Sequence, residues 1–221
     1  MRRLLQIVLI MWAVAAGAQQ AQVLDRMLAV VNNVPVFLSD WETAVRWEAL
    51  MQGRSAESFT VAEQRDVFNR MVDQELVRQQ MKGFELKPIS EEEVKRRLED
   101  ARSQIQGAST DEGWKKVLAE HGLNEDEARA KVRSERELMR FLDVRLKPLV
   151  RVDYRTIQNY YRNEYLPALR KQGAKEVPLT EVIDKIREIL TQQRLTEQTN
   201  IWMETLRAAA EIRYPKEAAA K

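Results

Sequence analysis

Apolar residues recur through most of this chain at helical spacing, and only its two ends carry short runs of the strand type. Val61, Phe68, Met71, Val72 and Leu76 form one stripe. Ala128, Val132, Leu138, Met139, Leu142 and Leu146 form another. Residues three, four and seven apart share one helix face, so each stripe predicts an amphipathic helix with one buried side. Helices are predicted over 39–51, 60–82, 90–106, 109–121 and 124–146. Each opens on Ser39, Thr60, Ser90, Ser109 or Asn124, with Glu42, Glu63, Glu93, Glu112 or Glu127 three residues on. At that spacing the cap oxygen accepts from an orphan amide of the first turn, and the carboxylate complements the helix dipole. Gly53, Gly83, Gly107 and Gly122 follow the first four helices, where a left-handed cap is expected. Gly113 is the misfit, because it falls in the first turn of a predicted helix.

Ahead of the helices, Met27 to Val31 and Val36 to Leu38 read as extended runs flanking an Asn32-Asn33 turn. Pro35 has no amide hydrogen, so the second strand belongs at an edge. Beyond Pro148, Val152-Asp153 opens a short sixth helix carrying Tyr154, Ile157, Tyr160 and Tyr161. Residues 165–178, with Pro167, Gly173 and Pro178, have little pattern and read as a connector. Residues 180–210 then contain neither Gly nor Pro. As one helix they reach about 46 Å at 1.5 Å per residue. Their apolar positions, Val182 to Leu206, need a long groove made by earlier helices. Glu211 to Tyr214 is a last extended run, expected to join the first hairpin in one small sheet. The fold class is therefore mainly α.

Composition narrows the function. The chain has no Cys and a single His in 221 residues. Disulfides, thiolate metal sites and multi-histidine centres are excluded. Gly-rich phosphate loops and nucleophile elbows are absent, and no carboxylate pair stands out as a general acid and base. No cofactor is expected. Arg2-Arg3, the apolar run from Leu4 to Ala16 and Ala16-Gly17-Ala18 read as a secretory signal over 1–18, cut before Gln19. The run holds about 13 apolar residues, too few for a span of about 20. No later stretch is long and apolar, so the mature product should have no stable membrane span. Removing Arg2 and Arg3 from 36 basic residues leaves 34 against 34 acidic ones. The charges alternate along helices, and no basic stripe stands apart to suggest nucleic acid.

The order of segments resembles the periplasmic SurA-type chaperones, relatives of the parvulin foldases. Asp25 to Asn33 followed by Ser39-Asp40 is similar to that family's opening strand, turn and first helix start. Arg70 to Gln80 and Lys87 to Val94 resemble its second and third helices. Gly122 to Val144, Val152 to Asn163 and Val177 to Tyr214 resemble later pieces. The resemblance covers nearly all of the mature chain. In that family one or more parvulin-type isomerase domains, each about a hundred residues, separate the last two pieces. Here only the connector stands there. The resemblance thus implies a chaperone module over 19–164, the connector 165–178 in place of the isomerase, a long helix and strand over 179–214 completing the same core, and a tail 215–221.

The function it implies is an ATP-independent periplasmic holdase for unfolded or partly folded envelope and outer-membrane proteins, without catalysis. The outer-membrane assembly machinery is a possible partner. The alternatives are a prolyl isomerase, as the family name suggests, and a dedicated interaction subunit of an envelope assembly. Met and aromatic side chains suit surfaces that accept many sequences. The candidate client-binding residues are Trp41, Trp47, Met51 and Phe59 near the first helix, in a concavity closed by the long helix. Tyr154, Tyr160, Tyr161 and Tyr165 form a second candidate patch beside the connector. His121 is expected to cap a helix C-terminus rather than to act in catalysis.

Overall fold

The computed structural model describes residues 25–215. The predicted signal segment 1–18 and the tail from 216 lie outside the described residues. β1 (Met27–Val31) and β2 (Val34–Phe37) are antiparallel, with Val30 opposite Pro35 and Val31 opposite Val34. Asn32 and Asn33 both take positive φ, 48° and 71°, the backbone that a two-residue hairpin turn requires. β3 (Ile212–Arg213) pairs antiparallel with β1, giving the order β2-β1-β3. The two ends of the described chain therefore meet in one sheet, and Pro35 lies on an edge strand.

The helices are α1 (Leu38–Met51), α2 (Val61–Met81), α3 (Glu91–Ser103), α4 (Asp111–Glu120) and α5 (Glu125–Leu146). Thr60, Ser90 and Asn124 form full capping boxes with Glu63, Glu93 and Glu127. The other two starts differ from expectation. α1 begins at Leu38 without a side-chain cap. Ser39 instead gives its N–H and hydroxyl to the Asp25 carboxylate, so the chain before β1 supplies the acceptor, while Glu42 pairs with Arg46. α4 is capped by Thr110, not Ser109. The Thr110 hydroxyl accepts from Gly113 N–H at 3.0 Å, and Gly113 occupies the place a box glutamate would need. A Cβ on Gly113 would lie 2.1 Å from the Gly107 carbonyl oxygen, which accounts for a glycine in a helical turn. α3 ends before 106 because its last residues bond locally. Ser103 Oγ donates to the Asp100 carbonyl at 2.7 Å, and Arg102 Nε to the Ala108 carbonyl at 3.0 Å.

The connector is shorter than predicted. α6 (Tyr154–Tyr160) runs through a widened turn, Tyr161–Tyr165, into α7 (Leu166–Lys171). Pro167 has no N–H to give the preceding turn. The turn closed by Leu166 N–H on the Tyr161 carbonyl opens the helix where the ring must fit. Only residues 172–178 link α7 to α8 (Leu179–Ala209), and among the described residues no further lobe is inserted there.

Two units result. In the body, Trp47, Leu50, Val94, Trp114, Leu118 and Val132 form one core. Ala29, Val31, Val36, Val72 and Leu76 pack the sheet on α2. The arm has its own core, with Ile157 of α6 against Val182, Ile186 and Leu190 of α8. α8 belongs to both units. Beyond the arm, its Trp202 ring lies 6.0 Å from that of Phe141 on α5, and Arg207 grips Asp73 of α2 through two bonds of 2.5 and 2.7 Å.

Candidate functional site

α2, α3, α5 and α8 enclose an open groove of about 690 Å³. Val77, Leu138, Met139, Leu142 and Met203 supply its apolar lining. Met139 is 57% exposed. It follows Leu138 on α5, and successive helical residues point about 100° apart. Leu138 and Phe141 turn into the core, which leaves Met139 on the groove. The rim is charged, and its Asp73 pairs with Arg207, which pins α8 to α2.

A smaller cavity of about 180 Å³ adjoins the groove and shares Arg70, Gln74, Arg97, Val132 and Glu135 with it. α1 closes it with Trp47, Glu48 and Met51. Inside, Lys131 faces Glu135 at 3.8 Å and Arg70 faces Glu48 at 3.2 Å. Burial pushes the Lys131 ammonium below its ordinary value, against the pull of Glu135 and Glu48. Burial likewise raises the Glu135 carboxyl, against Lys131. Both shifts have the sign of desolvation, and the Lys131 and Glu135 side chains are partly buried, 22% and 39% exposed.

The expected client-binding residues divide. Trp47 is 6% exposed and Phe59 5% exposed, and both are core. Phe59 lies under the Arg54 guanidinium, 4.1 Å from its ring centre. Trp41 is half-buried, and its Nε1 donates to the Gln64 carbonyl at 3.2 Å. Met51 is partly exposed at the inner cavity. Tyr160, Tyr161 and Tyr165 pack half-buried on the arm core. Tyr161 stacks on Tyr165 and donates its hydroxyl to the Val177 carbonyl at 2.8 Å, while Tyr154 stands free on the arm. The groove lining that the sequence reading missed, Val77, Leu138, Met139, Leu142 and Met203, is aliphatic and sulfur-bearing. Its visible signal was the apolar arc of α5, where adjacent Leu138 and Met139 exceed what one core face can hold. His121 Nδ1 lies 2.8 Å from the Val117 carbonyl, to which it donates, so the ring serves the end of α4.

Among the described residues no three or more of His, Cys, Asp and Glu are grouped to hold a metal ion. No described helix is long and apolar enough to cross a membrane. Residues 3–141 match the SurA-like N-terminal domain. The chain belongs to that family. The SurA-like assignment agrees with a solved structure from Campylobacter jejuni, one of two structurally related SurA-like chaperones, the virulence factor PEB4 and the periplasmic protein Cj1289. It covers 87% of this chain and 100% of its own at 9% identity, with a TM-score of 0.52. That likeness is one of fold. No curated protein matches the chain. In this SurA-like chain, α8 returns from the arm to complete the body formed by the N-terminal helices.

Proposed function

We propose that the protein is an ATP-independent periplasmic holdase that covers apolar segments of unfolded envelope proteins in the groove between α2, α5 and α8. The observation that carries this reading is the lining itself. Met139 and Met203 offer polarizable, unbranched side chains, and Leu142 an aliphatic one, in an open channel, on a chain of a chaperone family. Methionine adapts to partners of different shape, and a holdase needs contacts that are general and weak enough to release. Nothing in this reading calls for covalent chemistry. Of the expected client-binding set, Met51 and Tyr154 are the accessible members. Trp41, Tyr160, Tyr161 and Tyr165 contribute edges, and Trp47 and Phe59 act by holding the body in shape. Client identity as outer-membrane proteins, and export through the 1–18 signal, belong to the same proposal.

The test is aggregation of a urea-unfolded β-barrel protein diluted into buffer. The chain starting at Gln19 should suppress light scattering at a few-fold molar excess. Met139→Glu, placing a charge in the groove at an exposed site, should reduce suppression several-fold with an unchanged melting temperature. Full suppression by that variant rejects the groove, and no suppression by the parent rejects the holdase. Acceleration of proline-limited refolding would favour the isomerase alternative instead. Recovery of one stoichiometric folded partner would favour the interaction subunit.

A further inference from the structure

The even balance of 34 basic and 34 acidic residues left after Arg2 and Arg3 conceals a separation of charge between the two units. Residues 25–149 hold 21 basic and 24 acidic side chains. The stretch 151–176, which makes the outer helix of the arm, reverses this balance. Arg151, Arg155, Arg162, Arg170, Lys171 and Lys175 stand there against Asp153, Glu164 and Glu176. Two of the three acids are engaged: Asp153 caps α6 and Glu176 pairs with Arg170 at 2.7 Å. The other five cations are exposed. Among the described residues none of them has a carboxylate within ion-pair distance. The outer face of α6 and α7 therefore carries an excess of cations.

The cations lie along one side of this helix. Ile157, Tyr161 and Tyr165 fill one side of α6 and turn inward to α8, which leaves Arg155 and Arg162, seven residues apart, on the outer side. α6 through α7 spans 18 residues, about 27 Å. None of the cavities described above involves these residues. Leu149 and Tyr154, 60% and 55% exposed, flank Arg151 at one end.

We propose that the outer face of α6 and α7 docks the protein on an anionic phospholipid surface. A flat anionic sheet matches an extended, unpaired cationic strip better than a peptide does, because a peptide needs a groove. Guanidinium groups suit phosphate through paired N–H donors. A tyrosine and a leucine beside them are chemically suited to the headgroup boundary. Attraction of this kind accumulates with each Lys or Arg near the surface and fades within a Debye length. The groove on the body remains open while the arm is docked, so this inference does not depend on the holdase reading.

Co-sedimentation with vesicles tests it, using the chain from Gln19 so that the apolar leader plays no part. In 50 mM salt the protein should pellet with phosphatidylglycerol-phosphatidylcholine vesicles and stay in solution with phosphatidylcholine alone. Raising salt to 0.5 M should release it. Arg155→Glu with Arg162→Glu and Lys171→Glu should weaken binding at least tenfold. Arg155→Lys with Arg162→Lys, which keeps the charge, should bind within a few-fold of the parent. The proposal is overturned by equal binding to neutral vesicles or by no binding at low salt. It is also overturned by loss of binding in the lysine variant, or by retention in the glutamate variant with unchanged circular dichroism. Binding of soluble polyglutamate in place of vesicles would replace the membrane with an acidic polypeptide.

Discussion

Asn32 does four jobs with one residue. Its backbone takes positive φ in the hairpin turn, and its N–H donates to the Glu211 carbonyl at 3.0 Å. Its side-chain oxygen accepts from Glu211 N–H at 2.8 Å, and its side-chain nitrogen donates to Gln79 of α2 at 3.0 Å. Gln79 in turn donates to the Val31 carbonyl and to Glu75, which is buried. Turn, terminal strand and second helix are thus tied at one point. Asn32→Gly separates these roles, since glycine accepts the backbone conformation and removes only the side-chain bonds. Two lost hydrogen bonds of about 1 kcal/mol each predict a loss of about 1–2 kcal/mol in urea unfolding. A loss below a few tenths would mean that the sheet closes without this clamp.

At the scale of elements, helix starts carry a pH signature. The Glu63 carboxyl is lowered from 4.5 to about 2. The Thr60 backbone N–H contributes most, followed by Arg54 and the Thr60 hydroxyl. The unfolded chain takes up the proton near 4.5 and the folded chain only near 2. This contribution to stability is therefore present above pH 4.5 and is lost as pH falls from 4.5 toward 2. Glu63→Gln should lower the melting temperature at pH 7, and its difference from the parent should shrink steadily below pH 4.5. A constant difference across that range would show that the box does not act through this charge. The boxes at Thr60, Ser90 and Asn124 were legible in sequence because donor and acceptor lie three residues apart. The start of α1 was not, because its acceptor, Asp25, lies across the hairpin. Likewise Pro167 and Gly173 look like a loop, and only packing of Tyr161 and Tyr165 on α8 holds the widened turn that carries the helix through. The groove was hidden for the same reason. Whether Met139 or Trp47 faces a cavity depends on how much of α5 and α1 their neighbours cover.

For the whole molecule, α8 is one helix serving two cores. Its buried residues are Val182, Ile186 and Leu190, all in the arm. From there to Trp202 are twelve residues, about 18 Å, in which none is buried. Within that span Thr196 and Thr199 donate their hydroxyls to the Gln192 and Leu195 carbonyls, at 3.0 and 2.8 Å. Such bonds compete with the backbone ladder and favour bending. Among the described residues no apolar cluster bridges arm and body across this span, so the two should lose structure separately. Ile186 is fully buried against Ile157, and Ile186→Ala should cost about 2–4 kcal/mol by deletion of core volume. That cost should fall on the arm alone. Hydrogen exchange should speed up in α6, α7 and the first half of α8, while amides of α2 and α5 keep the protection of the parent. Equal acceleration in both units would show that α8 transmits folding from one core to the other. In that case the arm would be a buttress of the body rather than a unit able to tilt independently of the groove.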